Sequence, residues 1–87
     1  MISSHERSDI IYIMKMNRLA LIDSDSAHLS FGGQVKGKDY EIDLLVVEDL
    51  PRIAIRKEGE ILFNDTIRSI DDLKIFLEEQ LYKYVDV

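Results

Sequence analysis

Hydrophobic and polar positions alternate most regularly over Tyr40-Glu41-Ile42-Asp43-Leu44, and the chain is then apolar at every position through Leu45-Val46-Val47. Alternation with a period of two predicts a half-buried strand, and the apolar end predicts a central strand covered on both faces there. His28-Leu29-Ser30-Phe31 repeats the alternation, and Gly32-Gly33 is expected to interrupt it. Arg52-Ile53-Ala54-Ile55-Arg56 and Glu60-Ile61-Leu62-Phe63 flank Lys57-Glu58-Gly59, which predicts a hairpin whose three-residue loop places Gly59 in the left-handed conformation. Pro51 donates no ladder hydrogen bond and is expected to stop the strand before it. Asp23-Ser24-Asp25-Ser26 and Lys36-Gly37-Lys38-Asp39 read as turns, because Asp and Ser compete for backbone hydrogen bonds and glycine relaxes the backbone.

The period changes toward the C-terminus. Ile70, Leu73, Leu77, Leu81, Tyr84 and Val85 fall on one helical stripe, Ser69 is a good N-cap, and Asp71 and Asp72 place negative charge at the positive end of the helix dipole. Near the N-terminus, Ile10–Met16 is dense in β-branched and aromatic residues and predicts a strand; a helix is the rival, since Ser3 and Glu6 have capping-box spacing. Residues 18–23 read as a second strand or its continuation. With strands first, helix last and short loops, the expected fold is α+β: a small antiparallel β-meander of four to five strands with a C-terminal helix packed on one face. Residues 10–87 are expected to form this single domain and residues 1–9 a flexible extension, with Met14 and Met16 as alternative starts to Met1.

Composition narrows the function classes. The chain of 87 residues is 46% hydrophobic and 32% charged, as in an ordinary globular domain, and so small a body has little apolar surface to spare for a deep substrate cavity. It contains no cysteine, which excludes disulfides and thiolate metal sites and fits a reducing, cytoplasmic setting. The formal net charge of −6 repels nucleic-acid phosphates and anionic membranes, and the densest basic group is only Arg52, Arg56 and Lys57. Neither a membrane span nor the basic-then-apolar order of a signal peptide is present.

The motif candidates fail on spacing. Gly32-Gly33-Gln34-Val35-Lys36-Gly37-Lys38 matches a P-loop until its eighth position, where Asp39 stands in place of Ser or Thr, and it leads into a strand instead of a helix. Asp23-Ser24-Asp25 begins like a calcium loop, but Ala27, His28 and Gln34 occupy the positions that need Asp or Asn, Gly and Glu. His5 and His28 are the only histidines; His5 lies in the expected flexible start, and no Ser or Asp near His28 is specified for a triad.

Glu41-Ile42-Asp43-Leu44-Leu45-Val46-Val47 followed by Ile53-Ala54-Ile55-Arg56-Lys57 resembles the hairpin of the PD-(D/E)xK nuclease families. The resemblance covers about 17 residues and implies a divalent metal held by carboxylates, with Asp43 as the first carboxylate and Lys57 as the lysine. The second carboxylate position falls on Ile55, which cannot ligate a metal, so no resident metal or other cofactor is expected.

Recognition is the remaining reading. On a continuous helix Ile75 and Tyr82 would lie off the core stripe as a small apolar patch flanked by Asp71 and Glu78, a composition suited to a protein interface. The expected function is therefore that of a small, acidic, non-enzymatic interaction protein that regulates or inhibits a protein partner. A basic-grooved enzyme is the expected partner, or a second copy of the chain; nucleic acid and membrane are not. The alternatives are a degenerate nuclease hairpin and a self-assembling structural subunit.

Overall fold

Alternate residues of three consecutive strands decide which side of the sheet is covered. The computed structural model describes residues 2–85, ordered as α1 (Ser4–Met16), β1 (Ala20–Ser24), β2 (His28–Val35), β3 (Lys38–Val47), β4 (Leu50–Lys57), β5 (Glu60–Thr66), α2 (Ile70–Glu79) and α3 (Tyr82–Val85). The five strands form one antiparallel sheet in sequential order, as a meander requires. Leu29, Phe31 and Val35 of β2, Tyr40, Ile42, Leu44 and Val46 of β3, and Ile53 and Ile55 of β4 are buried on one face. Ile10 and Met14 of α1, with Leu73, Leu77, Leu81 and Val85 of the C-terminal helices, complete that core. Phe63 of β5 joins Phe76 and Tyr84 in an aromatic cluster with ring centroids 5.0 and 5.6 Å away, closing the β5 side. The fold is an α+β domain with helices on one face of the sheet only. Among the described residues no helix is long and apolar enough to cross a membrane.

Residues 10–16 are helical, not a strand. The Ser3 hydroxyl accepts from the Glu6 amide and the Glu6 carboxylate accepts from the Ser3 amide, both at 3.1 Å, so two amides that a helix start leaves unpaired are satisfied reciprocally. Ile10 and Met14, four residues apart, then face the sheet and are fully buried. Cap and core burial together outweigh the strand preference of Ile10, Ile11 and Ile13. Ahead of the helix Ile2 is buried, and its amide donates to the Ser26 carbonyl at 3.1 Å.

The helix ends in a Schellman motif. Leu19 donates to the Met14 carbonyl and Arg18 to that of Lys15, both at 3.0 Å, and Arg18 takes the left-handed conformation (φ 64°) usually reserved for glycine. Leu19 and Met14, the pair that such a motif brings together, are both buried. This turn explains why Gly32-Gly33 continues β2 where an interruption was expected. A Cβ on Gly33 would stand 2.5 Å from the Arg18 carbonyl oxygen, so glycine is needed there for space. A Cβ on Gly32 would meet the flexible Ile22 side chain at 3.4 Å and the Tyr40 carbonyl oxygen at 3.7 Å, both ordinary contacts.

Three hairpins join β2 through β5, each by two residues with positive φ: Lys36-Gly37, Glu48-Asp49 and Glu58-Gly59, the backbone pattern of type I′ turns. The β4–β5 loop is therefore one residue shorter than expected, with Lys57 paired to Glu60. Pro51 lies inside β4 and does not end a strand. The tight hairpin makes Val47 and Leu50 the hydrogen-bonded pair, so the amide position of Pro51 points away from β3, toward β5. The β5 ladder ends at Thr66, opposite Arg52, and the next residue uses only the Pro51 carbonyl, which accepts from the Ile67 amide at 2.7 Å. Both edge strands carry an irregularity, at Ile22 in β1 and at Leu62 in β5. The C-terminal stripe begins at Ser69, which accepts from the Asp72 amide at 3.1 Å, but the helix breaks after Glu79 and resumes at Tyr82.

Two outcomes check these local arguments. Gly33→Ala should lower stability by roughly 1–3 kcal/mol in urea unfolding, because the Arg18 backbone must move, whereas Gly32→Ala should change it by less than about 0.5 kcal/mol. The Ser3 amide's hydrogen bond holds the Glu6 carboxyl below its ordinary value. A lowered folded value means that the ionised group stabilises the fold above the ordinary carboxylate range and loses that contribution as pH falls through the folded value. The urea midpoint of the native chain should exceed that of Glu6→Gln at pH 7, and the gap should close at acid pH.

Candidate functional site

The face of the sheet opposite the helices carries a row of charges. Pairing across the sheet aligns Ser30, Asp43, Ala54 and Asn64 in one row and Gly32, Glu41, Arg56 and Ile61 in the next. The Arg56 guanidinium reaches both carboxylates, with Nε 3.1 Å from Glu41 Oε1 and a terminal nitrogen bonded to Glu41 and to Asp43. The hydrogen bond to Glu41, followed by the charge of Asp43, raises the proton affinity of Arg56, which stays charged throughout. His28 Nε2 approaches the other oxygen of Asp43 at 3.5 Å. Asp43 is thus held between a guanidinium and an imidazole, and no hydrogen bond joins Ser30 to His28.

Asp43 and Lys57 are not brought together. Asp43 faces the open side, whereas Lys57 pairs with Tyr40 and extends over that buried ring, 5.8 Å from its centroid, on the opposite face. Residues an odd number of positions apart on paired strands point to opposite faces, and the bulge needed to correct this is absent from the β3–β4 ladder. Among the described residues no group of three or more His, Asp or Glu is arranged to hold a metal ion.

The second feature is a cleft of about 530 Å³ between α1 and α2, lined by Asp9, Tyr12, Ile13, Met16 and Asn17 on one side and Lys74 and Glu78 on the other. Asp9 and Lys74 bridge the two helices at 3.4 Å. Asn17 donates from Nδ2 to the Ile13 carbonyl at 2.9 Å, which fixes the corner where α1 ends. Tyr12 and Met16, one helical turn apart, are 65% and 69% exposed. α2 carries Asp71, Asp72, Glu78 and Glu79 against a single Lys74, and the lysine is already engaged by Asp9, so the cleft is bordered by surplus negative charge.

The four residues expected at an interface divide between surroundings. Glu78 lines the cleft, and Asp71 stands exposed in the first turn of α2, 3.9 Å from Lys74. Ile75 and Tyr82 are both exposed, and the break after Glu79 puts them on different helices. Tyr12 and Met16 were missed because their segment reads as a strand. The signal was nevertheless there: six of the seven residues from Ile10 to Met16 are apolar, more than one helix face can bury.

The chain thus defines a class by architecture alone: a small α+β domain, a five-stranded antiparallel meander with helices on one face. In comparisons with known proteins, no family model, curated protein or solved structure matches it.

Proposed function

We propose that the protein is a non-enzymatic interaction module that binds a protein partner and regulates or inhibits it, taking a basic amphipathic segment of that partner into the cleft between α1 and α2. One observation carries the reading: α1 is apolar on two sides, and only one of them is used by the core. Ile10 and Met14 are buried against the sheet, while Tyr12 and Met16 stand in solvent at the cleft. Clustered exposed apolar side chains on a helix that already buries another side mark a surface lacking its cover.

The chemistry of the cleft selects the occupant. Methionine adapts its shape to an incoming side chain, and tyrosine offers a broad apolar body with a polar tip. Two helices flanking a groove suit the helix-in-groove mode, in which anchors at one-turn intervals enter and a charged rim sets orientation. Glu78, with Glu79 and Asp71 beyond it, favours cationic flanks on the partner, in keeping with the net charge of −6. Asp43 is engaged by Arg56 and His28 and lies on the face opposite Lys57, which favours the interaction reading over the nuclease alternative.

The test is affinity capture from the native host followed by reconstitution with the purified partner. Tyr12→Ser and Met16→Ser should each weaken that binding by roughly tenfold or more, Glu78→Lys should reduce it through the association rate, and none should lower the urea midpoint appreciably. Binding that is indifferent to all three substitutions would remove the cleft from the account.

A further inference from the structure

The open face of the sheet holds an apolar group that the cleft does not use. Leu45 and Val47 alternate with the buried Leu44 and Val46 along β3, and Leu50 lies directly across from Val47 on β4. All three side chains are exposed, and they sit together at the β3–β4 hairpin end. Nothing among the described residues covers them.

The charges around this group are unusual in being unanswered within the chain. Arg52, across from Leu45, makes one hydrogen bond to the neutral Asn64 at 3.2 Å and meets no carboxylate among the described residues. Arg56, four residues further along the same strand and on the same face, holds two carboxylates. On the other side of the Val47–Leu50 pair stand Glu48 and Asp49, exposed and with no cationic partner among the described residues. One cation, level with Leu45, and two anions, beyond the Val47–Leu50 pair, therefore flank the apolar trio, with backbones separated by roughly 10 Å at the rise of a strand and no ion pair between them among the described residues. The hairpin itself is held in place: both of its residues are left-handed (φ 52° and 64°) without glycine at either position.

We propose that this surface takes a second copy of the same chain, face to face, about a two-fold axis passing beside Val47 and Leu50. That operation lays Leu45, Val47 and Leu50 of one copy on those of the other and carries Arg52 of each copy to the Glu48-Asp49 hairpin of its mate. A two-fold interface must be self-complementary, and a patch with a free cation at one end and free anions at the other, divided by an apolar centre, meets that requirement. It also supplies local neutralisation, which two chains of net charge −6 need in order to approach. Pairing through the sheet edges is disfavoured, because both edge strands are irregular, at Ile22 and at Leu62. The helices of both copies remain on the outside, so the proposal is independent of the cleft between α1 and α2.

The experiment is sedimentation equilibrium of the full chain near physiological ionic strength, with Arg52→Glu and Asp49→Arg measured separately and then as an equimolar mixture. The native chain is expected to dimerise in the micromolar range. Each variant alone places like charges across the axis and should dissociate at least tenfold more readily. In the mixture, Glu at position 52 of one chain meets Arg at position 49 of the other, while native Arg52 of the second meets native Asp49 of the first. Mixed dimers should then return to near-native affinity, which no loss of folding could mimic. A native chain that is monomeric up to millimolar concentration overturns the proposal, as do variants that dimerise like the native chain and a mixture that fails to recover.

Discussion

The packing of α1 and α2 side by side on one face of the sheet is the contact on which the rest of the molecule depends. It buries Ile10 and Met14 from one helix and Leu73 and Leu77 from the other over Leu29, Phe31, Ile42, Leu44, Ile53 and Ile55. A domain of this size has one core and no staple, so that layer must supply nearly all of its stability. With both helices spent on one face, the other face meets solvent, and its polar residues pair with one another: Arg56 with Glu41 and Asp43, and His28 with Asp43. The same arrangement creates the cleft, because two neighbouring helices on a flat sheet leave a furrow on their outer side, here spanned by Asp9 and Lys74.

The strand order and the covered face were legible because period-two patterning is a direct record of which side of a sheet is buried, although the apolar end Leu45-Val46-Val47, expected to be covered on both faces, buries only Val46. The Tyr40–Val46 alternation places Ile42 and Leu44 in the core without any knowledge of their partners, and the Ser69 cap places the start of α2. Four features were not legible, each for a physical reason. Ile10–Met16 has no clean helical period, because two sides of α1 are apolar, so β-branched content outweighed the capping box. Gly32-Gly33 looks like a break, yet one of the pair serves a close approach by Arg18, fifteen residues away in sequence. Pro51 reads as a stop unless it is known that its amide position faces away from β3 and that the β5 side uses only its carbonyl, through the Ile67 amide. The break after Glu79 is invisible in a stripe that resumes on the core side with Leu81 and Val85, and it separates Ile75 from Tyr82.

For the candidate site the lesson is similar. The exposure of Glu78 and Asp71 was legible because charge on a helix face is readable from sequence. Tyr12 and Met16 were not, since an exposed apolar side chain is recognised only after the core has claimed its share. Surplus apolar residues in an otherwise amphipathic segment are the sequence trace of such a surface, provided the segment is assigned to the right element. The resemblance of the β3–β4 hairpin to a nuclease signature shows the converse. Asp43 and Lys57 have plausible spacing along the chain but opposite parity across the ladder, and in a sheet parity decides what can meet.

The central claim is that α1 is an integral layer of the core whose outer side is free for a partner. Amide hydrogen exchange of the isolated protein tests it most directly, residue by residue. If the account is right, the amides of Ile10 to Met14 exchange as slowly as those of Ile42 and Leu44, because they open only when the whole core does. Exchange of the α1 amides at unfolded-chain rates, with β3 still protected, would show that the sheet and α2 hold together without α1 and would contradict the account.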